Sequence, residues 1–192
     1  MSTDTSRRME KVMGNVMIHA TVTLDGFMAD TAGGIDWMFG VETVDEDMAV
    51  VNRIMEEIGA VVGGANETQT IEEGEMPYGG MLNVPVYLMT HRPHEPVERD
   101  GTTYFFAVDD IKQAVEAAKQ AAGDKSVSLL GGSISRQCLA LGLVDEIQLH
   151  VVPMLLGDGI SLFGGLGERI NLERVETAAY ASETHMRFRT VT

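Results

Sequence analysis

Gly131, Gly132 and Ser133 stand between an apolar run, residues 127–130, and a helical pattern in which Ile134, Cys138 and Leu141 recur at i, i+4 and i+7. A second apolar run, residues 147–156, follows. Strand, Gly-Gly, helix and strand in that order place bare backbone N–H groups at a helix start, with Ser133 at the expected N-cap and Gly142 closing the helix. Unpaired amides and the helix dipole together favour an anion, above all a phosphate. The same two glycines also suit a tight turn that lets the helix pack close to a sheet.

Three other short segments have the types for chemistry. Thr90, His91 and Arg92 leave an apolar run, and a guanidinium presents planar donors to phosphate. Gly63 and Gly64 end a short buried run, and Asp25-Gly26 ends the first one. The five histidines, at 19, 91, 94, 150 and 185, form no HxxxH or HExxH pair, and a single cysteine offers no CxxC, so no metal site is expected. His19 falls inside a strand, where a lone histidine suits packing as well as catalysis.

The chain has 192 residues and a formal net charge of −15, which argues against nucleic acid and anionic membranes as partners. An anionic ligand therefore needs a local basic group. No apolar run reaches 18 residues, and the N-terminus lacks an apolar core typical of a secretory signal. One cysteine agrees with a reducing, cytoplasmic setting. Residues 1–13 are expected to be a frayed tail, and 14–192 a single domain.

The elements that must position these groups alternate. Strands are predicted over 16–24, 60–62, 84–90, 103–107, 127–130 and 147–156. Helices are predicted from Asp45 as N-cap to Gly59, with Met48, Val51, Met55 and Ile58 on one face, and over 109–122. A short helix and a loop are expected within 65–83. Runs at 172–179 and 184–190 read as an antiparallel hairpin. This is an α/β pattern, a mostly parallel sheet with helices on both faces, and its ligands belong beyond the carboxyl ends of the strands. The four polar or glycine segments all fall at such ends. Between them, residues 27–40 read as a loop with three glycines and two aspartates that also carries Phe27, Met28, Ile35, Trp37, Met38 and Phe39, so it is expected to fold over a pocket or pack at an interface. Neither GxGxxG nor GxxxxGK[ST] occurs.

TLDGFMAD at 23–30, VVGGANET at 61–68, VYLMTHRP at 86–93 and the long stretch LLGGSISRQCLALGLVDEIQLHVVPMLLGDGISLF at 129–163 resemble, in order, the dihydrofolate reductase-like family, in the branch of the C-terminal reductase domain of riboflavin biosynthesis. The resemblance implies a mixed sheet with antiparallel final strands, an NADPH-dependent reductase and a homodimer. It implies that Gly131, Gly132, Ser133 and Ile134 hold the pyrophosphate of NADPH by backbone N–H groups. Thr90, His91 and Arg92 would receive the adenosine ribose and its 2′-phosphate, and Gly63, Gly64 and Asn66 would form a second cradle. The family's arginine in that cradle is here Gly64.

Towards the substrate the resemblance implies His19, Asp25 and Trp37. A lysine used towards a phosphorylated substrate is replaced by His19, six residues before Asp25. Asp25 also suits an Asx turn, and Trp37 either closes over the nicotinamide or packs ordinarily. Dihydrofolate reductases carry a carboxylate at the start of the helix after this loop, where Asp45, Glu46 and Asp47 lie; acids there also favour any helix. The expected function is hydride transfer from NADPH to a small heterocyclic or ribosylamino-pyrimidine substrate, as in 5-amino-6-(5-phosphoribosylamino)uracil reductases. The alternatives are folate-type reduction and a non-catalytic dinucleotide-binding protein.

Overall fold

The computed structural model describes residues 13–40, 43–64, 77–92, 95–107 and 110–191. Its strands are β1 (Val16–Thr23), β2 (Phe27–Ala29), β3 (Ile58–Gly63), β4 (Val86–Met89), β5 (Val97–Arg99), β6 (Thr102–Ala107), β7 (Ser126–Leu129), β8 (Glu146–Val152), β9 (Ile160–Ser161), β10 (Asn171–Ala179) and β11 (Thr184–Val191). Its α-helices are α1 (Asp45–Glu57), α2 (Ile111–Ala122) and α3 (Gly132–Ala140). Nine strands form one sheet in the order β10-β11-β8-β1-β7-β3-β4-β6-β5. The six from β8 to β6 run parallel, while β10, β11 and β5 are antiparallel to their neighbours. The expected mostly parallel sheet and C-terminal hairpin are both present. The structure adds the edge strand β5 and the small β2–β9 pair, of which β2 falls within the segment 27–40 expected to be a loop.

Strand alternation gives the sheet two different faces. Val16, Ile18 and Val22 of β1 join Val127, Leu129, Ile147 and Leu149 under α2 and α3. Met17 points the other way, into a smaller apolar cluster with Ile54, Met55, Val61, Leu88 and Tyr104 under α1. Helices thus cover both faces. On the α1 side the sheet turns polar towards β8 and β11. Glu146, Gln148 and His150 alternate with Ile147 and Leu149 along β8, and all five are buried.

Several boundaries moved for local reasons. The first helix is preceded by Val44, and Asp45 is its first residue, so three acids occupy the first turn without a side-chain cap. Its buried face is Asp47, Val50, Ile54 and Met55, whereas Met48 is exposed. It passes directly into β3 at Ile58, ahead of the expected Gly59 stop. Helix α2 begins at Ile111 because the Asp110 carboxylate accepts from the N–H groups of Lys112 (2.9 Å) and Gln113 (3.2 Å). Strand β8 ends at Val152, where Pro153 can donate no ladder bond. The short helix expected after Gly64 and most of the N-terminal tail lie outside the described residues.

Candidate functional site

Because β1, β3, β4 and β7 are parallel neighbours in the order β1-β7-β3-β4, their carboxyl ends share one edge of the sheet. Strand β7 is late in the chain yet lies between β1 and β3. Its Gly131-Gly132 turn therefore stands between the turn at Asp25 and the turn at Gly64, with Thr90 one strand further on. Such a reversal of strand order opens a crevice. Side-chain packing ties these turns together. A Cβ on Gly64 would lie 3.3 Å from Cγ1 of Ile134, and one on Gly132 would lie 3.0 Å from Sδ of Met28.

The N-cap of α3 is Gly131, not Ser133. Gly131 has φ +89°, a conformation that a Cβ would strain. The helical ladder starts with the Ser135 N–H to the Gly131 carbonyl at 3.1 Å, so the amides of Gly132, Ser133 and Ile134 precede it. Ser133 is exposed, and its Oγ accepts from Nε2 of Gln137 at 3.2 Å. Ile134 and Cys138 point into the core, but Leu141 is exposed beyond the helix end. Gly132 is buried, and its Cβ position faces Arg136 Nη1 at 2.9 Å and the Ser161 carbonyl at 3.4 Å. Arg136 Nη1 in turn donates to that carbonyl at 2.7 Å. A Cβ at 132 would therefore displace the ends of the Arg136 and Met28 side chains. Thr90 is buried and its Oγ1 accepts from the Arg92 N–H at 3.1 Å, which turns the exposed His91 and Arg92 outward. Asn66 lies outside the described residues. A helix start whose first amides precede the ladder, with the exposed Arg92 at the end of a strand two positions away in the sheet, fits a dinucleotide phosphate. Gly131, Gly132, Ser133, Ile134 and Arg92 are the groups that would hold one.

Asp25 is a fastener between loops. Its Oδ1 accepts from Thr23 Oγ1 (2.5 Å) and the Leu156 N–H (3.2 Å), and its Oδ2 accepts from the Gly157 N–H (2.8 Å). The Thr23 hydroxyl, then the Gly157 amide, hold its carboxyl below the ordinary value. Trp37 is half-buried in a 3₁₀ turn, Asp36–Gly40, and its Nε1 is buried with no partner among the described residues. Ile35 and Phe39 beside it are exposed, 43% and 79%, so this part of the loop is less covered than its apolar content predicts.

His19 leads to the feature that the sequence reading missed. It is buried on the α1 face, and its Nε2 lies 2.8 Å from Nε2 of His150. Nδ1 of His150 lies 2.6 Å from Nδ1 of His185, and Nε2 of His185 lies 2.8 Å from Oδ1 of Asp47. Asp47 sits in the first turn of α1, fully buried, and its Oδ2 also accepts from the Ser182 N–H at 3.3 Å. The ring of Tyr78 stacks on His19, centroids 5.6 Å apart, and its hydroxyl shares a 2.6 Å hydrogen bond with Ser128. Burial lowers His19 to about 4. Burial, then its two histidine neighbours, lower His150 to about 2. Both are therefore neutral at pH 7. The signal available in the sequence was the alternation of Glu146, Gln148 and His150 with apolar residues, since polar groups on one face of a central strand must find buried partners.

One cluster of the described residues has the donors for an ion: His150, Glu183 and His185. Nitrogens bound to one metal at ~2.0–2.1 Å in a tetrahedral site stand about 3.3 Å apart. The 2.6 Å between the two imidazoles is a hydrogen-bond distance, so this arrangement holds a proton between them.

A family model, the RibD C-terminal domain, matches residues 15–186. The chain belongs to this family. YyaP of Bacillus subtilis (strain 168), an uncharacterized protein, is 30% identical over 178 residues, 87% of this chain and 89% of its own. Among solved structures, a Shewanella sp. PV-4 protein named for riboflavin biosynthesis superposes with a TM-score of 0.77 at 21% identity, covering 93% of this chain and 99% of that one. The dihydrofolate reductase of Enterococcus faecalis, complexed with NADP(H), gives 0.62 at 9% identity over 93% and 97%. The fold is thus dihydrofolate reductase-like. No helix among the described residues is long and apolar enough to cross a membrane.

Proposed function

We propose that the protein is an NADPH-dependent reductase that delivers a hydride to a small heterocyclic or ribosylamino-pyrimidine substrate, the reaction class of 5-amino-6-(5-phosphoribosylamino)uracil reductases. The observation that carries this reading is the run of amides at Gly132, Ser133 and Ile134 that precede the helical ladder, set in the crevice where β7 separates β1 from β3. Membership of the RibD C-terminal domain family and the NADP(H)-bound Enterococcus relative support it. NADPH supplies the hydride when bound. The chain supplies the rest: α3 neutralises phosphate charge, Arg92 meets the adenosine end, Asp25 holds the 154–157 loop, Trp37 covers the opening, and His19 faces the reacting molecule. A neutral imidazole gives no ionic contact to phosphate, so His19 does not replace the family's lysine in that task. An unphosphorylated substrate therefore suits this site better than a phosphorylated one.

Folate-type reduction has one observation in its favour. Asp47 is a buried carboxylate in the first turn of the helix after the loop. The reading as a non-catalytic dinucleotide binder rests on Gly64 in place of the family's arginine. A second copy of the chain is the partner we infer, because Leu172, Val175, Tyr180 and Val191 expose apolar surface along the hairpin whose β10 is an open edge. Light scattering of the full chain tests that pairing. The buried, unpaired Cys138, pushed up to about 12 by burial, suits a reducing cytoplasm.

The cofactor reading is tested by Ser133→Glu. The side chain at 133 is exposed, and an acid in the first turn favours the helix, so the fold survives. The new carboxylate occupies the place of the pyrophosphate. Calorimetric titration with NADPH is expected to show binding by the wild type and none by the folded variant. Unchanged affinity in the variant would remove the pyrophosphate from this turn.

A further inference from the structure

The four groups from Asp47 to His19 admit one consistent assignment of protons on neutral imidazoles for each state of Asp47. A carboxylate only accepts, so with Asp47 ionised His185 must donate from Nε2. Its Nδ1 then carries a lone pair, and His150 must donate from Nδ1 across the 2.6 Å contact. That leaves the lone pair of His150 on Nε2, so His19 must donate from Nε2. The chain ends on Nδ1 of His19, an acceptor that is buried and has no partner among the described residues. If Asp47 carries a proton instead, every bond reverses and His19 offers an N–H at Nδ1. The two states differ by one proton, and all three imidazoles are neutral in both.

We propose that His19, His150 and His185 form a proton relay between Asp47 and Nδ1 of His19. Its unpartnered end is where the protein exchanges a proton with the molecule in the cleft. That destination rests on the reductase reading, whereas the relay itself stands on the geometry alone. Hydride reduction of a C=N bond adds a hydride to carbon and needs a proton on nitrogen. As the substrate N–H forms, the Nδ1–H bond of His19 breaks. The Nε2 proton of His150 passes to Nε2 of His19, the Nδ1 proton of His185 to Nδ1 of His150, and the carboxyl proton of Asp47 to Nε2 of His185. A proton taken up from solvent at Nδ1 of His19 after product leaves runs the same hops backwards.

The surroundings suit transfer without a trapped cation. His19, His150 and His185 are 8%, 1% and 2% exposed, and burial disfavours the imidazolium forms of His19 and His150. They come from three adjacent strands, β1, β8 and β11, whose ladders fix the rings on one face. Glu183, from the turn before β11, faces the central proton, its Oε2 3.8 Å from Nδ1 of both His150 and His185. Burial raises its carboxyl above the usual range. Tyr78 covers the ring of His19, and Tyr180 lies 5.9 Å from that of His185.

The test is two-bond ¹H–¹⁵N correlation on the full chain labelled in histidine. The wild type is expected to show protons on Nε2 of His185, Nδ1 of His150 and Nε2 of His19, or all three reversed. Asp47→Asn keeps an acceptor for the Ser182 N–H and turns an amide N–H towards His185. It is expected to fix the chain with protons on Nδ1 of His185, Nε2 of His150 and Nδ1 of His19. In D₂O the ring proton of His150 is expected to exchange faster than the Leu149 amide, and to slow to that rate in His19→Phe. Tautomers that disagree along the chain, a variant that changes His185 alone, or a His150 proton as slow as the Leu149 amide in the wild type would overturn the relay. Titrating the same sample with NADPH and following the Gly132 and Ser133 amides tests the cofactor separately. No shift there sinks the reductase reading and leaves the relay standing.

Discussion

Nε2 of His19 and Nε2 of His150 meet at 2.8 Å although 131 residues separate them in the chain. Strands β1 and β8 pair in parallel with Thr21 opposite His150, so His19 lies one same-face step away. The contact is a consequence of strand order and register together. It places one nitrogen of a buried histidine against a second histidine and leaves the other buried without a partner among the described residues.

The pair makes stability depend on pH. Unfolded, each histidine titrates near 6.5; folded, His19 titrates at about 4 and His150 at about 2. Below pH 6.5 the unfolded chain therefore binds protons that the folded chain refuses, and stability falls as pH falls. The loss from His19 levels off below about 4 and that from His150 continues to about 2. Each contributes a slope of up to about 1.4 kcal/mol per pH unit. Urea unfolding at pH 7, 6 and 5 is expected to show this decline, with a shallower slope in His150→Gln. Equal slopes in the two proteins would contradict a neutral, buried His150.

Arg187 is expected to be a strong single determinant of stability. Its Nη2 lies 2.6 Å from Glu146 Oε2 and 2.8 Å from Glu57 Oε2, while Glu146 is nearly inaccessible. Burial opposes its charge, yet the two carboxylates hold the guanidinium above its usual value. Among the described residues, Arg187→Met leaves Glu146 with only the longer 3.7 Å contact to the exposed Arg189. The expected cost is about 3–5 kcal/mol, read from urea midpoints. Adding Glu146→Gln should restore part of it.

Asp25 should govern the 154–157 loop. Its folded carboxyl titrates below the ordinary 3.8, so the loop is held above that value and released as pH falls through the lowered one. Exchange of the Gly157 amide is expected to be slow at pH 7 and fast at every pH in Asp25→Ala. Protection that survives the substitution would mean that the loop is held by other contacts.

Arg92 should set the choice of dinucleotide. It is an exposed arginine on a turn fixed by Thr90, in a protein of net charge −15. A charge-assisted contact to phosphate is worth about 1.5–3 kcal/mol, or roughly ten- to a hundredfold in affinity. NADPH is expected to bind tighter than NADH by about that factor, and Arg92→Glu to abolish the difference. A preference that persists would place the 2′-phosphate elsewhere.

Trp37 should report on the loop. It is the only tryptophan, and its ring nitrogen is buried without a described partner. Its emission is expected to shift when NADPH saturates the protein, as for a closing lid. An unmoved spectrum would make the 3₁₀ turn ordinary packing.

The alternation of apolar runs with helical patterns sufficed for the α/β class, the position of most strands and the terminal hairpin, because burial periodicity is a local property. The glycine turn after β7 was legible for the same reason, although the N-cap was not: Ser133 has the right side chain, but the chain turns at Gly131 with positive φ. Nothing local distinguishes Asp47 from Asp45 and Glu46, or His150 from an ordinary strand histidine. Helix phase buries Asp47 and exposes its two acidic neighbours. Sheet order sets β8 beside β1 and β11 beside β8, which brings residues 19, 150 and 185 onto one face. Pairwise contacts across more than a hundred residues depend on strand order and register, and those are decided only when the whole sheet closes over its core.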